Sequence, residues 1–347
     1  MPFCSGDIKQ VKYILTLSFL LAIFYACRED SDHPWIYHTG VDVSPNGRYL
    51  AFGSGDGRIW IINLWDEAPE ARIIGTIYGV MSLRFSGDAQ YLMAASADSL
   101  VHVWETGNWQ KLSEIFQLPF RIGKALENFP STSDWVCGNG HRDWPMLMFF
   151  RFEPDSFPHF QAIKQLPMDG FFEYCLSLNA TPDKQKLVVE GYMGDLLYYL
   201  NTDPPLQTFK TIYTQEDHGM KGLSLSPNSQ YLAFSPLDVP SIFIYDFQKD
   251  TIIQVLKLDD INALSFSSDG KFLFVVFNNN ILAYWTTHDW SLFTTVQIPD
   301  FNIIYIMRAV PYSKRLVLMN HTQVVLWDYN QKRVIGFFNL GGNDHGV

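Results

Sequence analysis

From residue 36 onward, apolar and polar positions alternate in short runs, and clusters of Gly, Pro, Asn, Asp and Ser interrupt them. A two-residue period puts successive side chains on opposite faces of an extended chain, so each run reads as a half-buried strand. Sustained apolar spacing at three and four residues, the mark of an amphipathic helix, is absent. The pattern predicts an all-β chain.

One phrase recurs. It stands at Val41–Phe52 (VDVSPNGRYLAF), Leu83–Ala94 (LRFSGDAQYLMA), Leu223–Phe234 (LSLSPNSQYLAF) and Leu264–Val275 (LSFSSDGKFLFV), with weaker copies around Pro130, Thr181 and Pro311. In each copy an alternating strand runs into a Ser-Pro-Asn-Gly type of turn, which reverses the chain into a second apolar strand. A third strand ends on an aromatic beside a polar residue, as in Val101–Glu105, Ile242–Asp246, Leu282–Trp285 and Val324–Asp328. A fourth follows a Gly, Asn or Asp loop, at Ile73–Ile77, Leu112–Leu118, Ile163–Leu166, Phe209–Ile212, Ile252–Leu258, Leu292–Ile298 and Val334–Leu340. With Ser44, Ser86, Pro130, Thr181, Ser226, Ser267 and Pro311 as equivalent anchors, the steps are 42, 44, 51, 45, 41 and 44 residues. A period near 40–45 residues with four strands per unit predicts seven radially arranged blades.

The stretch from Ser96 and Asp98 to Val101, His102, Val103, Trp104 and Glu105 resembles the Ser-x-Asp…Trp-Asp phrase of WD40 repeats, and Trp327-Asp328 resembles its closing dipeptide. The resemblance covers residues 36–340 and implies a seven-bladed β-propeller. It implies that Asp98 sits in the tight turn between second and third strands, and that Trp104 packs within the third. The chain departs from the family in lacking the Gly-His pair in most blades; only the inverted His218-Gly219 comes near it. Aromatic packing is therefore expected to replace part of the His–Ser–Asp–Trp network. Blade one begins with its innermost strand near His38–Val43, and blade seven ends with its own outer strand. Ring closure is expected to rest on apolar packing between blades, with pairing of Pro34–Tyr37 onto blade seven as the alternative.

Hydrophobic residues make up 47% and charged residues 18%, and 27 Phe, 17 Tyr and 10 Trp supply a large core. That composition excludes a disordered chain. The formal charge is −11, and no Lys/Arg cluster appears anywhere, which excludes nucleic acid as the expected partner.

Lys9 and Lys12 precede an apolar run, Tyr13–Tyr25, followed by Ala26 and Cys27. A basic start, a short apolar segment and a small residue describe an export signal, too short to span a bilayer. The Ala26-Cys27 pair resembles the lipobox of bacterial lipoproteins, which implies removal of residues 1–26 and acylation of Cys27. Phe24 stands where that family has Leu, so cleavage near Ala26 as an ordinary signal, or a short uncleaved anchor, are the alternatives. Residues 27–35 then read as a tether and 341–347 as a tail, and the location as a membrane-anchored lipoprotein, periplasmic or cell-surface. Cys137 and Cys175 fall in strands of neighbouring repeats and are expected as two buried free thiols rather than a disulfide.

No Gly-x-Ser-x-Gly, His-Glu-x-x-His, phosphate-binding Gly loop or Cys-x-x-Cys occurs. Asp155–His159 gathers acid, hydroxyl and imidazole in one loop, where a chance cluster is the expectation. The nine His are scattered, and Asp259-Asp260 and Asn278–Asn280 read as turn residues. No catalytic residue, metal or cofactor is expected. His141, Arg142, Asp143 and Trp144 stand in an expanded loop and suit recognition. In a propeller the loops between blades share a face with the second-to-third-strand turns. That face would carry Asp169, Phe171, Phe172, Glu173, Glu216, Asp217, His218, Asp259, Asp260, Asp300 and Phe301, together with Trp144, Tyr192 and His321. Among them Trp144, His141, Arg142, Phe171, Phe172, His218 and Phe301 are the expected partner contacts.

These features predict a monomeric, non-catalytic propeller that serves as a protein–protein interaction platform in the bacterial cell envelope, bound to other envelope proteins. One alternative is a propeller enzyme (hydrolase, lyase or quinone-dependent dehydrogenase) at the central channel. It would need ionisable residues converging from inner strands, several of which read as carrying only apolar or Ser positions. Another is a glycan-binding module stacking sugars on Trp144, Phe171 or Phe301.

Overall fold

The computed structural model describes residues 40–339, except 55, 68, 113–115, 121, 130, 132, 140–145, 168–174, 192–195, 201–208, 215–219, 238, 300–302 and 321–322. The described residues form 28 strands in seven four-stranded antiparallel sheets, each built from four consecutive strands. Blade one holds β1 (Val41–Val43), β2 (Tyr49–Gly53), β3 (Arg58–Asn63) and β4 (Ala71–Thr76); blade two holds β5 (Val80–Phe85), β6 (Tyr91–Ser96), β7 (Leu100–Glu105) and β8 (Phe116–Gln117). Blade three comprises β9 (Ile122–Asn128), β10 (Asp134–Asn139), β11 (Met146–Phe152) and β12 (Phe160–Pro167). Blade four comprises β13 (Cys175–Ala180), β14 (Lys186–Gly191), β15 (Leu196–Leu200) and β16 (Phe209–Tyr213). Blade five follows with β17 (Met220–Leu225), β18 (Tyr231–Pro236), β19 (Ser241–Asp246) and β20 (Thr251–Lys257), and blade six with β21 (Ile261–Phe266), β22 (Phe272–Phe277), β23 (Ile281–Thr286) and β24 (Leu292–Gln297). Blade seven ends the ring with β25 (Ile306–Ala309), β26 (Arg315–Met319), β27 (Gln323–Asp328) and β28 (Arg333–Asn339). The fold is a seven-bladed β-propeller of WD40-like blades.

A local device explains why the recurring phrase turns where it does. The anchor hydroxyl of Ser44, Ser86, Thr181, Ser226 or Ser267 bonds the Asn or Asp two residues on. It also accepts the amide five residues on, as from Tyr49 at 2.8 Å and Tyr231 at 2.8 Å. The third residue after each anchor has positive φ (Gly47, Ala89, Lys184, Ser229, Gly270), which closes a tight reversal.

Two anchors differ from the sequence expectation. The equivalent amide-to-carbonyl bond joins Phe129 to Asp134 and Val310 to Arg315, so the anchors of blades three and seven are Phe129 and Val310, not Pro130 and Pro311. Each proline aligns with Pro45, Pro182 and Pro227, one residue after an anchor. A one-residue slip matters in a strand because it exchanges the two faces.

Among the described side chains the middle strands are largely buried on both faces, and clusters of Leu, Ile, Val and aromatic side chains fill the gaps between blades. The seam between blades seven and one is filled in the same way. Val41, Leu50, Phe52 and Ile62 pack with Val317, Met319, Val324 and Leu326. Arg315 also donates to the Leu64 carbonyl at 3.0 Å across 251 residues of sequence. Among the described residues each end blade keeps its own four strands, so the seam is held by packing and this bond. Pro34–Tyr37 lie outside the described residues.

Candidate functional site in the central channel

The first strand of every blade contributes to a cavity of about 380 Å³ on the ring axis. Two residues before each anchor, one side chain per blade lines it: Asp42, Arg84, Glu127, Asn179, Ser224, Ser265 and Arg308. Beyond this layer the cavity continues for about 250 Å³ between smaller side chains that include Ser82, Ser177, Gly222 and Ala263. Gly40 belongs to that narrower part, and a Cβ there would come within 2.7 Å of the Leu83 amide nitrogen.

The polar layer ties the ring together. Asp42 Oδ2 accepts the Phe85 amide at 2.8 Å, and Ser224 Oγ accepts the Phe266 amide at 3.0 Å. Both therefore reach the residue preceding the next blade's anchor. Arg84 Nε lies 3.3 Å from Glu127 Oε2, and Lys184 Nζ, from the blade-four turn, lies 3.7 Å from Glu127 Oε1. Lys184 also donates to the Asn128 carbonyl. Arg308 Nη1 donates to the Met307 carbonyl at 3.2 Å, and among the described residues no carboxylate forms an ion pair with it.

Burial dominates the electrostatics here. It pushes the Asp42 carboxyl above the usual carboxylate range, against the pull of Arg84 and the Phe85 amide. For Arg84 burial acts downward, but Glu127 and Asp42 together outweigh it and hold the guanidinium above its ordinary value. For Arg308 the compensation is incomplete. Burial and then repulsion from Arg84 push it down to about 10, with Asp42 and Glu127 offsetting only part.

This convergence corrects the expectation that the inner strands bring few ionisable groups together. Four blades send Asp42, Arg84, Glu127 and Arg308 into one layer. Glu127 and Arg308 were not singled out from the sequence; counting two residues back from Pro130 and Pro311 would have pointed to Asn128 and Ala309 instead. The signal that finds them is the proline alignment.

The remaining sequence-predicted residues separate into two groups. Cys27, His141, Arg142, Trp144, Phe171, Phe172, His218 and Phe301 lie outside the described residues. Ser96, Asp98, Trp104, Trp327 and Asp328 are described. Asp98 occupies the β6–β7 turn and accepts from Ser96 Oγ, which also donates to the Leu100 carbonyl at 3.0 Å. His102 Nε2 stands 3.4 Å from the same hydroxyl, so an imidazole from the third strand approaches this turn. Trp104 and Trp327 are buried, and Trp327 Nε1 donates to Tyr284 Oη at 2.9 Å across blades. Asp328 caps the next turn by accepting the Asn330 and Gln331 amides. Cys137 and Cys175 are buried free thiols. Asn278–Asn280 form a positive-φ turn in which Asn280 Oδ1 accepts the Ile304 amide at 3.0 Å. Among the described residues no three His, Cys, Asp or Glu side chains are gathered as a metal would need, and no helix is long and apolar enough to cross a membrane.

Chemically the layer is suited to holding a ligand. Both Glu127 oxygens face cations and one Asp42 oxygen holds an amide, whereas Arg308, Ser224 and Asn179 retain donor capacity and Ser265, which donates to the Phe266 carbonyl at 3.2 Å, retains acceptor capacity.

Comparison with known proteins finds WD40 repeats in the chain. The family described as "WD domain, G-beta repeat" matches residues 27–63 and 71–105. Apoptotic protease-activating factor 1 of Mus musculus is 35% identical over 74 residues, 21% of this chain and 6% of that protein. The Protein LST8 homolog of Drosophila melanogaster is 30% identical over 82 residues, covering 22% and 26% of the two chains. Protein hir1 of Emericella nidulans is 26% identical over 176 residues, covering 42% and 17%. The chain thus spans about a quarter or less of the length of each of these relatives.

Proposed function

We propose that the chain is a non-catalytic interaction platform, held at a bacterial envelope membrane through a lipid on Cys27 and binding another envelope protein on the face built from the inter-blade loops. The observation that carries this reading is a set of main-chain bonds joining those loops to the second-to-third-strand turns. Ile77 N–H donates to the Gly57 carbonyl at 2.9 Å, Ala97 to Gly79 at 2.9 Å, Leu118 to Ser99 at 2.9 Å and Ile298 to Asn280 at 3.1 Å. Loops fixed in this way on a closed scaffold are where recognition is placed. Tyr78, 74% exposed, and the exposed Asp259, Asp260 and Tyr305 supply aromatic and acidic groups on that face. By the same repeat parse His141, Arg142, Trp144, Phe171, Phe172, His218 and Phe301 are further contacts. A partner with a basic or aromatic-accepting surface complements such a face. The presence of WD40 repeats supports the reading.

Photo-crosslinkers at positions 78 and 144, with a control at Tyr312 on the opposite face, test the surface. Enrichment of one envelope protein from the first two positions supports it, and capture from position 312 alone sinks it. For the tether, a palmitate analogue should label the wild type and not Cys27→Ala; an unlabelled wild type removes the lipid from the proposal.

A further inference from the structure

The charges of the channel layer do not balance. Arg84, Lys184 and Arg308 supply three cations, and Asp42 and Glu127 supply two carboxylates. Arg84 and Lys184 both lean on Glu127, at 3.3 and 3.7 Å. Asp42 gives an oxygen to the Phe85 amide. The surplus charge therefore resides on Arg308, whose described partner is the neighbouring Met307 carbonyl at 3.2 Å. This excess of one positive charge stands inside a chain whose formal charge is −11.

Arg308 is half-buried and no carboxylate among the described residues forms an ion pair with it, an arrangement that costs free energy unless a counter-charge is supplied. A guanidinium is planar and presents five N–H groups in a fork that matches a carboxylate through two parallel bonds. One of the five is committed here. Hydroxyl and amide groups surround the fork: Ser265 on blade six, Ser224 on blade five and Asn179 on blade four line the same 380 Å³ space. Such groups pair with hydroxyls on a ligand, and the volume lies within the range of small-molecule sites. Entry is open from the turn side, where Arg308 also borders a groove of about 870 Å³ beside Pro311 and the 91% exposed Tyr312.

We propose that this layer binds a small monoanionic hydroxy-carboxylate, with Arg308 receiving the carboxylate and Ser265, Ser224 and Asn179 receiving its hydroxyl groups. One negative charge neutralises the surplus, and the anion relieves the repulsion that Arg84 imposes on Arg308. The site is separate from the loop face proposed for a protein partner, so either assignment can fail without the other.

The test is thermal unfolding and calorimetric titration of the full chain with gluconate, glucuronate and lactate. Sorbitol serves as the uncharged control and inorganic phosphate as the competing oxyanion. The expected result is a saturable rise in the unfolding midpoint with at least one carboxylate, one molecule bound per chain, and no rise with sorbitol. Arg308→Gln should weaken that binding at least tenfold while keeping the ligand-free midpoint near wild type. Arg84→Gln, which leaves Glu127 with only the longer 3.7 Å pairing to Lys184, should lower the ligand-free midpoint. Four results overturn the proposal: no response to any of the three carboxylates; an equal response to sorbitol; tighter binding of phosphate than of any carboxylate; or a ligand-free loss in Arg308→Gln as large as in Arg84→Gln, which would make Arg308 a structural strut.

Discussion

Phe52→Ala tests how the ring is closed. Phe52 is fully buried in the seam, packed among Val41, Leu50 and Ile62 of blade one and Val317, Val324 and Leu326 of blade seven. Truncating a buried Phe costs about 3–5 kcal/mol, the spread reflecting how far the site collapses. Phe234 holds the corresponding position in blade five, equally buried, so Phe234→Ala removes the same atoms from a different gap. The two gaps differ in connectivity. Blades four and five are joined by chain, whereas blades seven and one meet only at the two ends of the propeller. Loss at the seam should therefore appear as local opening. Native-state hydrogen exchange, followed peptide by peptide, should accelerate in β1–β2 and β26–β28 by roughly a hundredfold or more, since about 1.4 kcal/mol is worth a factor of ten. Phe234→Ala should spread a similar loss over the whole ring. Equal acceleration in every blade of Phe52→Ala would refute the idea that packing, with the Arg315–Leu64 bond, holds the seam. So would unchanged exchange at β26–β28.

Tyr284→Phe leaves the buried Trp327 Nε1 without its 2.9 Å acceptor and should cost about 1–3 kcal/mol; urea midpoints for Tyr284→Phe, Trp327→Phe and the double mutant would show a non-additive cycle. Burial, helped by Lys111 and opposed by Asp98, lowers the His102 pKa to about 4, against 6.5 unfolded. Between those values the unfolded chain binds more protons, so stability is level above pH 6.5 and falls on acidification toward pH 4, by on the order of 3 kcal/mol in all. His102→Gln should flatten that part of a stability-against-pH curve, and an unchanged slope would reject the assignment. Burial raises both the Cys137 and Cys175 thiols. Maleimide labelling mapped by mass spectrometry should therefore leave both unmodified until denaturant is added.

Much of the fold was legible because its causes are local. The Ser/Thr-x-Asn/Asp turn at Ser44, Ser86, Thr181, Ser226 and Ser267 needs only residues within five positions of one another, so its recurrence reports the blades directly. The short Asp98 turn and the aromatic ends of the third strands are equally local. Blade two's outer strand is described only in part, because residues 113–115 lie outside the described residues. Phe116–Gln117 form its regular part, with Lys111 joined to Trp104 by a single bridge.

The sequence by itself determined the period, the strand alternation and the turns, because hydrogen bonds and side-chain spacing within a few residues specify them. Only the tertiary structure decided which side chains meet on the axis. Asp42 and Arg308 are 266 residues apart in the chain, and Glu127 and Arg308 sit in the two blades whose anchor hydroxyl is replaced by Phe129 and Val310. With a side-chain period of two, an error of one residue at those anchors sends an inward charge outward. The channel layer emerges only when seven separate registers are known together.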